Sequence, residues 1–155
     1  MKIVRTKDVA WGDGIDRGAF VQRRKPLGGG QSLMASLWEL PVGKKSFPLH
    51  AHHVTEEAMF VISGTAKVRT PEGESVIGPG DFVSFPAGGV AHQLINEGPE
   101  PLVYVGMSAT KGVDVVEYPD SDKVASAVGV WPNQKRFVFK KGDAAEYFEG
   151  EKDAG

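Results

Sequence analysis

The chain has 155 residues, 18 Lys plus Arg against 20 Asp plus Glu, a formal charge of -2, and no cysteine. That length accommodates one ordinary domain, and the charge balance argues against nucleic acid as a main partner, because phosphate-backbone binding demands a basic patch. Without thiols, disulfide staples, thiolate zinc sites and cysteine nucleophiles are excluded.

The N-terminus, Met1 to Asp8, has no apolar stretch of signal-peptide length, and no run approaches the ~20 apolar residues of a membrane span. These features predict a soluble, cytoplasmic protein with no membrane partner. Residues 1–30 read as an N-terminal arm. Arg23-Arg24-Lys25-Pro26 followed by Gly28-Gly29-Gly30 suits a mobile surface connection. The triple glycine lacks the Gly-Lys-Ser/Thr ending and following helix of a phosphate loop, so it reads as a flexible link.

From there, short runs rich in β-branched and aromatic residues alternate with turn residues, of which the chain has 20 Gly and 10 Pro. The expected strands are Ser32–Leu40, Lys45–His50, Glu57–Ser63, Thr65–Thr70, Glu74–Ile77, Asp81–Phe85, His92–Asn96, Pro101–Ser108, Val113–Tyr118 and Arg136–Lys140. Gly64, Thr70-Pro71-Glu72-Gly73 and Gly78-Pro79-Gly80 make tight connections between them. Strands at roughly ten-residue spacing predict an antiparallel sandwich or small barrel. Asp122–Val130 and Gly142–Gly150 are expected to form short helices, and Glu149–Gly155 a frayed tail.

In Glu57–Ser63, Glu57, Met59, Val61 and Ser63 share one face while Ala58, Phe60 and Ile62 share the other. Both faces are largely apolar, as expected of an inner strand or one at a subunit interface. Trp11, Trp38 and Trp131 read as core or interface anchors. Lys44, Lys45, Lys67 and Arg69 read as a solvated face rather than as the seat of an anionic substrate.

The four histidines, His50, His52, His53 and His92, carry the chemistry. In an extended segment His50 and His52 project their rings from one face, about 6.5–7 Å apart, where they can share a cation. Glu57 opens a strand whose same-face companions are apolar; an unpaired carboxylate there is costly to bury, and a cation supplies its partner. His92, on a later strand, closes the set. Three imidazoles and one carboxylate suit a divalent transition metal such as zinc, iron, manganese, nickel or copper, and suit calcium or magnesium poorly. His53 and Glu56 have the opposite parity and read as outward-facing. Apart from the proposed ligands, no general acid or base stands out, with Tyr104 and Gln93 as the candidates considered.

The stretch from Gly43 through His50, His52 and Glu57 to Gly64 resembles the first motif of the cupin superfamily: Gly, His-x-His, three or four residues, Glu, six residues, Gly. Counting back from Gly64 selects Glu57 rather than Glu56. Gly80-Asp-Phe-Val-Ser-Phe-Pro86-Ala-Gly88-Gly-Val-Ala-His92-Gln-Leu-Ile-Asn96 is similar to the second motif, whose histidine completes the metal shell. Six residues rather than five separate Gly43 from His50, and three rather than two separate Gly88 from His92.

The resemblance implies an all-β fold, a double-stranded β-helix or jelly-roll barrel with few short helices. The barrel would span 31–120 and a C-terminal extension 121–155. It also implies a homodimer, as in many small single-domain cupins. For function it implies an enzyme using the metal as Lewis acid on a small oxygen-rich metabolite, isomerase-like or dioxygenase-like. The alternative is a non-catalytic small-molecule binding module with a structural metal. Neither substrate nor catalytic residues follow from the sequence.

Overall fold

A computed structural model describes residues 1–30, 32–110, 112–129 and 133–153. Among the described residues there are thirteen strands: β1 Gly12–Arg17, β2 Phe20–Gly29, β3 Leu33–Leu40, β4 Ala51–His52, β5 Glu56–Ser63, β6 Ala66–Thr70, β7 Gly73–Ile77, β8 Phe82–Phe85, β9 Gln93–Ile95, β10 Leu102–Ala109, β11 Val113–Tyr118, β12 Lys123–Val128 and β13 Lys135–Lys140. Every strand pair among them is antiparallel. The largest sheet runs β1-β2-β3-β10-β5-β8, a second β13-β12-β11-β4, and a third β7-β6-β9. The fold is all-β, with the double-stranded β-helix architecture expected, and among the described residues its helical content is limited to 3-10 turns such as Thr6–Asp8 and Pro119–Ser121.

Alternation decides which side chains fill the barrel. Leu40, Met59, Val61, Leu102, Tyr104 and Phe85 point inward from the large sheet and meet Ala66, Val68, Ile77 and Leu94 from the small one, with Trp38 and Val83 packed against them. The opposite face of β5 lies outside. Register aligns Leu37, Val105, Phe60 and Phe82 in a row across four strands, with Phe60 43% and Phe82 62% exposed. That is why β5 reads as apolar on both faces.

Several local expectations are corrected. The segment read as a mobile connection is strand β2, in which Arg23, Arg24 and Lys25 pair with Glu39, Trp38 and Leu37. Its Pro and Gly are accommodated by a register shift between Pro26 and Gly28, the kind of bulge where a missing donor and a missing side chain are tolerated. Lys45–His50 is not a continuous strand. It is held by isolated bridges at Lys45 and His50, with Pro48 between them supplying no ladder donor. Asp122–Val130, expected as helix, contains β12 instead; Ala125 and Ala127 favour a helix by propensity, but they occupy the buried face of a period-two strand. The expected C-terminal helix is replaced by a 3-10 turn at Lys141–Asp143 and isolated turns beyond it. Trp131 lies outside the described residues; Trp38 borders the core, and Trp11 sits under the Lys25 ammonium, 4.8 Å from its ring centroid.

Gly64 ends β5 at φ 76°, and a Cβ there would stand 2.3 Å from the Pro101 carbonyl oxygen. Only glycine fits both constraints. Among the described residues, no helix is long and apolar enough to cross a membrane.

Candidate metal centre

The site lies at one end of the barrel, where four stretches of backbone meet. His50 and His92 exchange backbone hydrogen bonds, 3.2 Å from His50 N to the His92 carbonyl and 2.9 Å in return, so the two histidine-bearing stretches are clamped to each other. His52 ends β4, which pairs with β11 through Val116. Its carbonyl accepts a 2.8 Å bond from Gly88 N, anchoring the turn that leads to His92. Glu57, on β5, sits between Ser108 of β10 and Phe85 of β8.

Three imidazole Nε2 atoms gather round one carboxylate oxygen. Glu57 Oε2 lies 3.7 Å from His50 Nε2, 3.4 Å from His52 Nε2 and 3.2 Å from His92 Nε2. Ligand atoms of His50, His52 and Glu57 all fall within 4.8 Å of one another and could hold a metal ion. His92 joins them through its contact with Glu57 and its ring centroid 4.7 Å from that of His50. The shared parity of His50 and His52 brings their ring centroids to 5.0 Å. His53, of opposite parity, points away; it is 47% exposed and its Nε2 lies 3.0 Å from Glu117 Oε1. Glu56 is exposed.

For His50 and His52 the far side of the ring sets the tautomer. His50 Nδ1 lies 2.9 Å from the Pro48 carbonyl. A carbonyl only accepts, so Nδ1 carries the hydrogen and Nε2 presents a lone pair to the centre. His52 Nδ1 donates to Asp114 Oδ2. Asp114 is 3% exposed, and its other oxygen accepts from Val54 N at 3.0 Å and Thr55 N at 3.3 Å. Burial alone would raise the Asp114 pKa; the bonds from His52, Thr55 and Val54 outweigh it and hold the carboxyl below its ordinary value. The His92 ring is stacked on Phe85 at 3.6 Å and 8°. Burial lowers its pKa more than the Glu57 contact raises it, so it favours the neutral form a metal needs. Burial would likewise raise the Glu57 pKa, but the imidazoles of His50 and His92, with the field of His52, bring it far below the usual carboxylate range.

Asp114 was not singled out from sequence, although a signal was there: on Val113–Tyr118 it shares a face with the buried Val116, the pattern that marks Glu57. Tyr104 lies on the wall of a cavity of about 120 Å³ that also contains His50, Glu57, His92, Trp38, Phe47 and Phe85. Its hydroxyl donates to Gln22 Oε1 at 2.7 Å. Burial first, then the charge of Glu57, push its pKa up, so the phenol keeps its proton. Gln93 is away from this cavity: its Nε2 donates to the Phe47 carbonyl at 2.7 Å, a structural bond. Lys67 pairs with Glu74 and Glu97, and Arg69 with Asp120, as a solvated face requires.

A family model for the cupin domain matches residues 36–108. No protein of curated function matches the chain in sequence. Among solved structures, a putative sugar phosphate isomerase from Acidithiobacillus ferrooxidans is 32% identical, the match covering 83% of this chain and 81% of that one at a TM-score of 0.74. A sugar phosphate isomerase of the cupin superfamily from Silicibacter pomeroyi is 21% identical, covering 94% and 96% at a TM-score of 0.80. A predicted oxalate decarboxylase from Thermotoga maritima shares the fold at 16% identity and a TM-score of 0.62, over 71% of this chain and 99% of that one.

Proposed function

The chain belongs to the cupin superfamily, and we propose that it is a metal-dependent enzyme of the isomerase type acting on a small oxygen-rich metabolite. One observation carries this reading: the three Nε2 atoms that meet at Glu57 Oε2, bordering a cavity lined by His50, Glu57 and His92. The donor set fits a divalent transition ion such as zinc, manganese, iron or nickel, since it offers imidazole nitrogens with one carboxylate rather than the all-oxygen shell of calcium or magnesium. His50, His52, Glu57 and His92 would hold the ion. When bound, it supplies Lewis acidity toward a carbonyl or hydroxyl oxygen.

The protein's own side chains do the rest. Asp114 fixes the His52 ring, and the Pro48 carbonyl fixes that of His50. Trp38, Phe47 and Phe85 wall the cavity with rings, which limits water and strengthens polar contacts inside. Tyr104 holds a proton on the same wall; here it is donated to Gln22 Oε1, and a substrate oxygen that gains negative charge would take it by replacing that acceptor. The likeness at 32% identity to a protein called a putative sugar phosphate isomerase favours isomerisation over oxygen-dependent cleavage. A homodimer belongs to the same proposal. The apolar row Leu37, Val105, Phe60 and Phe82, exposed at Phe60 and Phe82, supports it.

The experiment is metal analysis followed by incubation with aldoses, ketoses and their phosphates in deuterium oxide. An isomerase washes deuterium into the carbon beside the carbonyl, and proton NMR reads it. Metal-loaded protein that exchanges no substrate but consumes oxygen would move the reading to a dioxygenase. Neither activity, with a ligand still retained, would favour the binding module.

A further inference from the structure

A second pocket, of about 410 Å³, borders the same histidine–glutamate cluster. His50, His52 and Glu57 form its floor, with Val116, Tyr118, Lys123, Arg136 and Val138 among its walls. Its volume lies within the range of small-ligand clefts. The pairing of β11, β12 and β13 creates it. Register puts Tyr118 beside Lys123, Val116–Ala125–Val138 in one row and Asp114–Ala127–Arg136 in the next. The central strand thus contributes alanines at 125 and 127 to this face. Small side chains there leave a trough between the larger ones on β11 and β13. Lys123 and Arg136 stand at two corners of it.

We infer that this pocket receives an anionic substrate, whose phosphate or carboxylate is recognised by Arg136 and Lys123 while its polyol end meets the cluster. Both cations lack a carboxylate partner among the described residues. Lys123 lies 5.6 Å from the Tyr118 ring centroid, and Arg136 donates only to the neutral Gln134 Oε1 at 3.3 Å. Outside the pocket, Arg69 is paired with Asp120 and Lys141 with Glu117. The carboxylates near the floor are already engaged, Glu57 by imidazoles and Asp114 by His52 and two backbone amides. The pocket therefore carries uncompensated positive charge above the cluster. A guanidinium offers a fork of donors to an oxyanion, and the ammonium adds a point charge.

The inference rests on the metal-centre reading only for what lies on the pocket floor, so the two are tested separately. Isothermal titration of the full-length protein, metal-loaded and metal-stripped, uses inorganic phosphate, fructose 6-phosphate, gluconate and fructose. Wild-type loaded protein should bind fructose 6-phosphate or gluconate at least tenfold more tightly than fructose. Whichever of the two binds better identifies phosphate or carboxylate as the recognised group. Arg136→Gln and Lys123→Gln should each weaken that ligand at least fivefold and leave fructose binding, metal content and thermal midpoint unchanged. Lys67→Gln, at a cation paired with Glu74 and Glu97, should behave as wild type. Inorganic phosphate should bind the stripped protein and lose affinity in the same two variants. Equal affinity for charged and neutral ligands, no binding of any probe, or a double variant that keeps the preference would overturn the inference. A protein that takes up no metal but still binds phosphate through Arg136 and Lys123 would sink the metal reading alone.

Discussion

Asp114→Asn isolates the contribution of a residue that never touches the metal. Asn keeps the size of Asp, but its one amide oxygen can accept either from Val54 N and Thr55 N, the two backbone bonds at 3.0 and 3.3 Å, or from His52 Nδ1, not from both sides. The bond from His52 Nδ1 changes. A hydrogen bond to a charged acceptor contributes about 1.5–3 kcal/mol and a neutral one about 0.5–1.5 kcal/mol. Removing the charge therefore costs about 1–2 kcal/mol of His52 positioning, or about 5–30-fold in metal affinity. If the amide turns its NH2 toward the ring, Nδ1 must become the acceptor. The proton then sits on Nε2, in the way of the ion, and the loss approaches the ~100-fold upper end for such outer partners.

The assay is competition for zinc against a chromophoric chelator at neutral pH, with circular dichroism to establish that the variant folds. The metal-free protein gives an independent readout. The folded-state pKa of Asp114 is lowered, so its stabilisation is complete above the ordinary aspartate value of about 3.9 and is lost as pH falls through the lowered value. The stability gap between wild type and Asp114→Asn should accordingly shrink on acidification. A variant that binds zinc as tightly as wild type would refute the claim that Asp114 sets the tautomer of His52.

Other outcomes follow from the same geometry. His52→Ala should lose most of its metal while His53→Ala keeps it, because His53 meets only Glu117 at the surface; equal behaviour would contradict the parity argument, and metal analysis decides. Acidification should release the ion as protons take the imidazole lone pairs; full occupancy at pH 4 would exclude imidazole ligation. Tyr104→Phe should retain metal but lose turnover, and should lower the thermal midpoint because Gln22, whose Nε2 already has no protein partner, also loses its hydroxyl contact, at about 1–3 kcal/mol. Sedimentation should give a homodimer, and Phe60→Glu should return it to monomer.

Much of the centre was legible because its chemistry is local. His50, His52, His53, Glu56 and Glu57 lie within eight residues of one another, and strand alternation alone sorts ligands from surface groups. The β-rich architecture was legible for a similar reason, since turn residues punctuate runs of one period. Non-local effects escaped. Ala125 and Ala127 look helical until β11 and β13 flank them. Pro26 and Gly28 look like a hinge until a bulge absorbs them. Asp114 is separated from His52 by 62 residues, and only the pairing of β4 with β11 brings them together. Likewise, Lys67 and Arg69 are as basic in sequence as Lys123 and Arg136. Which cations find carboxylate partners is decided by tertiary neighbours.

The C-terminal sheet would join the proposed metal centre and the proposed anion pocket in one fold. Strand β11 carries Asp114, Val116 and Tyr118 on one face. The first orients His52, the second pairs with it across β4, and the third lies under Lys123. Strand β12 adds the alanines that open the trough, and β13 adds Arg136. A change in pairing among these strands would therefore move a ligand-orienting carboxylate and both cations together. The large sheet supplies Glu57, Trp38 and Phe85, while Phe47 comes from the segment before β4. The large sheet contributes neither Lys123 nor Arg136, so the proposed positioning of an anionic substrate over the cluster requires the second sheet to be paired with β4.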